Sequence, residues 1–286
     1  MFSIIVCSIR PEQAAALEQN IASTIGVSYE FIVYDNRAAG KGICAVYNEC
    51  ARRAKYDYLC FIHEDIAFHT QDWGREIAQK LSEQDCGAIG FAGGTSKYPY
   101  PYGWQSIRTF TCKNYIRGSL GGGSSLRKSR EEGAYSQVVT LDGMALMVRR
   151  DVWAECNFDE VTFTGFHSYD TDFTTALFCG GRRNYVCNSV LIEHFSTGSF
   201  STKWYESVKR YLAKWGERLP LFVEPKHTVR QIARLAPRVE AFALKYLLRH
   251  GLVERAEAVA MVDDFCARHP FAIQGLLMRL RLCKTE

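Results

Sequence analysis

Cys60-Phe61-Ile62-His63-Glu64-Asp65-Ile66-Ala67-Phe68 sets three ionisable side chains between two apolar runs. Tyr58 to Ile62 reads as a strand, and the residues beyond a strand's carboxyl end decide what an α/β protein can hold. A carboxylate without a partner is costly in apolar surroundings. His63, Glu64 and Asp65 must therefore reach a solvent-facing rim or hold something positive. On the amino-terminal side, Phe2 to Ser8 and Tyr29 to Asp35 are further β-branched and aromatic runs. Pro11 to Thr24 fits a helix with proline in its first turn. Ile43 to Ala54 and Asp72 to Ser82 read as two more helices, and Gly87 to Ala92 as a short strand. This alternation predicts an α/β fold with a mostly parallel sheet and helices on both faces.

The rhythm breaks from Lys97 to Val138, where glycine, proline and serine dominate. That stretch reads as a long loop region with room for a hairpin. Tyr98, Tyr100, Tyr102 and Trp104 alternate with prolines there. Their rings either stand free for stacking or pack inward. The glycines at 121–123 suit a lid. Val139 to Arg149 reads as a strand, Asp170 to Cys179 as a helix closed by Gly180-Gly181, and Asn184 to Ile192 as a last strand. From Thr202 the periodicity is helical, punctuated by Pro220, Pro225 and Pro237. The division expected is a domain at 1–201 and a helical extension at 202–286.

The chain of 286 residues is 47% hydrophobic and 23% charged, which fits a folded protein. A formal charge of +4 is too slight to imply a nucleic-acid partner. Eleven cysteines lie scattered without a Cys-x-x-Cys pair, suggesting reduced thiols and a cytoplasmic location. The amino-terminal MFSIIVCSIRPEQ reads as a strand and not as a signal peptide. No apolar run is long enough to span a bilayer. Lys203, Lys209, Arg210, Lys214, Arg230, Arg234 and Arg238 stand among apolar residues. They form either a solvated basic face or a surface that lies on an anionic membrane, peripherally at its inner face.

Ser8, Asp35 and the His63-Glu64-Asp65 cluster end three consecutive strands, so polar groups gather at one rim. Clustered oxygen ligands suit Mg²⁺ or Mn²⁺, and such an ion neutralises a departing diphosphate. The other reading is that Glu64 and Asp65 cap a turn or pair with an arginine. A second cluster is Phe158 to Phe173, FDEVTFTGFHSYDTDF. There the residues alone make Asp170 an N-cap, let Asp172 favour the helix dipole, and make His167 a packed histidine. His194 directly follows an apolar strand, where it is a satisfied histidine or a rim ligand.

Taken in order, FSIIVCSIR, YEFIVYDNR, GKGICAVYNECARRAKYDYLCFIHED, LDGMALMVRRDVW, FDEVTFTGFHSYDTDF and VLIEHFSTGS resemble a glycosyltransferase of the GT-A fold, nearest the bacterial family-2-like group. The resemblance implies a nucleotide-sugar donor, a glycan or lipid-linked saccharide acceptor, and Mn²⁺ or Mg²⁺ on the diphosphate. It places Ser8 to Arg10 at the nucleotide pocket's edge, Asp35 on the base or ribose, Lys41 near phosphate, and Asn48 on the helix approaching the metal motif. His63-Glu64-Asp65 takes the place of an Asp-x-Asp motif, with histidine first and Asp65 as metal ligand. His194 completes the metal shell. Tyr169-Asp170 takes the place of a Glu-Asp pair whose aspartate is the base of an inverting, hexosyltransferase-like reaction. Two other functions would use a similar sheet. One is a sugar nucleotidyltransferase, and the other is sugar-nucleotide binding without turnover.

Overall fold

The computed structural model describes every residue except 120, 121, 130–132, 197, 199 and 284–286. The chain begins β1 (Phe2–Ser8), α1 (Pro11–Thr24), β2 (Tyr29–Asp35), α2 (Ile43–Arg53), β3 (Tyr58–Ile62), β4 (Ile66–Phe68), α3 (Trp73–Leu81) and β5 (Cys86–Gly90). Short strands follow: β6 (Ala92–Gly94), β7 (Ser96–Lys97), β8 (Thr111–Arg117), β9 (Ser125–Lys128), β10 (Tyr135–Val138), β11 (Thr140–Leu141) and β12 (Ala145–Arg149). Then come α4 (Arg150–Cys156), α5 (Tyr169–Cys179), β13 (Arg183–Cys187) and β14 (Ile192–His194). The last part is α6 (Thr202–Trp215), β15 (Leu221–Phe222), α7 (Val229–His250), α8 (Arg255–Arg268) and α9 (Ile273–Cys283). No helix among the described residues is long and apolar enough to cross a membrane.

The main sheet is mixed, with order β10-β13-β5-β12-β3-β1-β2. It is mostly parallel as expected, since β13, β5, β3, β1 and β2 run one way and only β10 and β12 run against them. β1 runs parallel to β2 and β3, but β12 runs antiparallel to both β3 and β5. A parallel neighbour needs a long crossover, usually a helix. The chain reaches β12 through short strands of a second sheet and enters it from the rim where β3 ends. Successive strand side chains point to opposite faces. Ile5, Leu59 and Phe61 thus join a core under α2, α4 and α5, while Ile4, Val6, Cys60 and Ile62 join another under α1 and α3. Both faces are covered, which is why these strands read as unbroken apolar runs.

The second sheet has the order β11-β6-β8-β14-β4, with β9 hairpinned onto β8. The loop expected over Lys97 to Val138 therefore contains sheet structure. Gly121, of the expected lid, lies outside the described residues. The strand expected over Val139 to Arg149 is split by a turn at Asp142-Gly143, and that over Asn184 to Ile192 stops at Cys187 and resumes as β14.

Tyr98 and Tyr102 are only 1% and 2% exposed, packed with Phe110 against Ile232, Leu235 and Val239 of α7. Tyr98 donates its hydroxyl proton to the Ile232 carbonyl at 2.8 Å. These two rings fasten the helical segment and are not free to stack on a sugar. α6 is fastened separately. Trp215 Nε1 donates to Asp172 Oδ1 at 2.7 Å, and Lys214 Nζ bridges Asp159 and Asp172. Asp172 is thus a buried anchor for α6, more than a dipole partner.

Candidate active site

Strand direction assembles the site. Because β12 opposes β3, its first residues meet the end of β3, and His63 N donates to Met144 O at 3.0 Å. The Asp142-Gly143 turn consequently stands beside His63. β14 opposes β4 with His194 opposite Ile66, and Phe195 N donates to Asp65 O at 3.0 Å. Those pairings bring His63, Asp65 and His194 together, with one potential ligand atom from each lying within 4.8 Å of the others. His194 Nε2 is 3.3 Å from Asp65 Oδ1, in ion-pair range. Among the described residues this buried nitrogen has no hydrogen-bond partner. A buried polar atom in that state calls for a ligand.

Tyr169 organises the other wall. Its hydroxyl donates to Gly143 O at 3.0 Å and lies 2.9 Å from His63 Nε2. Since the hydroxyl proton is committed to Gly143, Nε2 must be the donor to the oxygen, leaving the lone pair on Nδ1. Burial, with His194 nearby, pushes His63 down to about 4, so the ring is neutral at pH 7. Burial alone would raise Asp65, but contact with His194 outweighs it and holds Asp65 below the ordinary carboxylate range. Two imidazoles and one carboxylate form a donor set that fits a divalent metal.

Asp170 is the second residue of α5 and not its N-cap, a place taken by Ser168 in a left-handed conformation with φ of 63°. Its carboxylate accepts from Gly143 N at 2.8 Å and Thr171 N at 2.7 Å. Burial first, and then the charge of Asp142, raise it to about 7 despite those two donors. Asp142 escaped the sequence reading. Its signal was an Asp-Gly pair inside an apolar run, which favours a turn. A Cβ at Gly143 would collide with the Tyr169 hydroxyl, so the turn must approach bare. Phe166 was also missed. It is 52% exposed, with its ring centroid 5.4 Å from that of His63. Gly165 O accepts from Ile43 N, tying this loop to α2.

The expected donor contacts fall differently. Glu64 Oε2 accepts from Ser8 Oγ at 2.6 Å, Ile9 N at 3.1 Å and Arg10 N at 3.0 Å. Glu64 therefore caps the turn after β1, and the Ser8 hydroxyl is spent on it. Asp35 is exposed and paired with Arg37, whose hydrogen bonds lower it to about 2. Lys41 pairs with Glu49 at 2.8 Å. Asn48 is buried and staples α2 to the loop after α4, donating to Phe158 O at 2.8 Å and accepting from Phe158 N at 3.0 Å. Asn48→Ala leaves both groups unpaired, so an expected loss of about 2 kcal/mol in urea unfolding accompanies unchanged nucleotide affinity. Weaker nucleotide binding at equal stability would instead put Asn48 in the donor pocket. An open cleft of ≈ 550 Å³ lined by Gln84, Asp85, Glu155 and Arg182 lies at the opposite ends of β5 and β13.

A mixed sheet with helices on both faces, a second small sheet and a metal-capable rim define a GT-A fold. The sequence model of the Glycosyltransferase like family matches residues 3–214, and the chain belongs to that family. No curated protein matches it. Among solved structures it is similar to the mannosyltransferase PcManGT of Pyrobaculum calidifontis in complex with GDP-Man and Mn²⁺. The TM-score is 0.53 at 12% identity, over 99% of this chain and 84% of that one. TarS 1–349 of S. aureus, in complex with UDP-GlcNAc, gives a TM-score of 0.56 at 14% identity, over 92% and 80% of the two chains. GalNAc-T7 with UDP, GalNAc and Mn²⁺ gives 0.51 at 10% identity, over 93% and 55%.

Proposed function

We propose that the protein transfers a hexose from a nucleotide-diphosphate donor to an acceptor hydroxyl on a glycan or lipid-linked saccharide, with inversion at the anomeric carbon. Residues 1–201 are the catalytic domain in this reading, and 202–286 its helical extension. The observation that carries it is the convergence of His63, Asp65 and His194 beside Asp170. His63, Asp65 and His194 would hold Mn²⁺, which would supply positive charge beside the departing diphosphate. Two nitrogen donors favour Mn²⁺ over Mg²⁺, which keeps to oxygen ligands.

Asp170 accepts the acceptor hydroxyl's proton as that oxygen attacks, and its raised affinity for protons suits the task. Gly143 N and Thr171 N fix the carboxylate's orientation. Tyr169 holds His63 in the tautomer that leaves Nδ1 for the metal. Phe166 offers an apolar wall to the C–H face of a sugar. Asp35, Lys41 and the turn from Ser8 to Arg10 border the nucleotide, with Glu64 shaping that turn. The location is cytoplasmic, and the basic helical segment meets the membrane peripherally.

A thermal-shift screen of nucleoside diphosphates and their sugars, with and without Mn²⁺, tests the reading. The expected result is a Mn²⁺-dependent rise in Tm with one base. No rise with any nucleotide would sink it.

A further inference from the structure

Lys113, Tyr115 and Arg117 alternate along β8 and so share one face. The parallel register with β14 sets Arg117 beside His194 and Tyr115 beside Ile192, so this is the face that carries His194. Across the hairpin, Arg127 stands opposite Tyr115 and joins them. Asn114, on the other face, is buried and donates to the carbonyls of Cys187 and Val190 at 3.2 and 2.8 Å. Those bonds fix the strand's rotation, since a one-residue slip would turn every side chain over.

Two of the cations on this face, Lys113 and Arg127, lack matching acids: among the described residues, neither has a carboxylate at ion-pair distance. Lys113 is half-buried, with Nζ 5.5 Å from the Trp104 ring centroid. Burial, and then Arg127, push its pKa down, while Asp142 pulls it back. A lysine that sheds hydration with no acid at ion-pair distance is held at a cost, which an anionic ligand would remove. The donor's diphosphate is drawn to the other side of His194. In the order β8-β14-β4, the His194 strand separates these cations from Asp65, and β1 and β2 lie in the other sheet.

We propose that Lys113 and Arg127 form a subsite for an anionic group, a phosphate or carboxylate, carried by the acceptor saccharide. This rests on the glycosyltransferase reading above and adds the acceptor's chemical class. Isothermal titration of the Mn²⁺–UDP-loaded protein with glucose 6-phosphate, glucuronate and methyl glucoside tests it. The charged sugars are expected to bind about tenfold more tightly than methyl glucoside, and the advantage to shrink with added salt. Lys113→Gln/Arg127→Gln should abolish the advantage and leave UDP affinity unchanged. Arg127→Gln alone, at an exposed position, is expected to lose part of it and serves if the double variant does not fold. Equal binding of all three sugars overturns the proposal. So does a double variant that weakens UDP as much as the charged sugars, since the cations would then serve the donor. Failure of the glycosyltransferase reading shows separately, as no nucleotide binding by the wild type. The sugar titrations are then judged by the same criterion on nucleotide-free protein.

Discussion

Asp170→Asn is expected to cut transfer by about 10³-fold while leaving the affinities for nucleotide and Mn²⁺ unchanged. The amide fills the same space but cannot take a proton. Wild-type kcat/KM should climb with pH below about 7 and level off above it, because Asp170 must be ionised to act and burial raises it to about 7. Stability carries the opposite sign. A carboxyl that holds its proton more firmly when folded stabilises the fold fully below its unfolded value, and loses that contribution as pH rises through the folded value. Removing it should therefore help most at high pH. Between pH 5 and 8, the stability of Asp170→Asn relative to wild type is expected to rise by about 2 kcal/mol, discounted for the carboxylate's partial contact with solvent. Urea titrations at the two pH values read this directly. A flat difference would mean that Asp170 is not held protonated, and an active variant would remove it from the base role.

The early elements were legible because each obeyed a single period. β1, α1, β2 and β3 begin and end where the apolar runs, Pro11 and the terminal polar residues indicate. Strand direction was not legible, since an apolar run such as Ala145 to Arg149 reads the same whichever way its neighbours point. That missing fact hid the Asp142-Gly143 turn, which matters only because β12 opposes β3. The residues alone let Glu64 and Asp65 cap a turn alike, and only the resemblance singled out Asp65 as the metal ligand. Adjacent residues leave a strand end in different directions, and one went to the β1 turn while the other went to His194. The tyrosines at 98 and 102 face inward because their partners Ile232 and Val239 lie over a hundred residues downstream. His194 was visible as a rim residue, but only its pairing opposite Ile66 brings it to Asp65.

Asp65→Asn and His194→Ala are expected to abolish the response to metal as well as turnover. In the wild type, EDTA should stop transfer and Mn²⁺ restore it, with Mg²⁺ less effective because two of the three donors are imidazoles. Mn²⁺ at about a hundred times its Kd should stabilise the folded protein by about 2.7 kcal/mol, a shift absent from both variants. The metal-free proteins separate this role from packing. Among the described residues His194 Nε2 makes no hydrogen bond, so Ala forfeits none there, and the metal-free variant should lose less stability than Mn²⁺ gives the wild type. Asp65→Asn keeps the shape but removes the charge that faces both imidazoles. Its metal-free unfolding should stay near that of the wild type while activity falls by at least about a hundredfold. Full activity in rigorously metal-free wild type would end the metal role. A His194→Ala variant that still gains the same Mn²⁺ stabilisation would move the ion elsewhere.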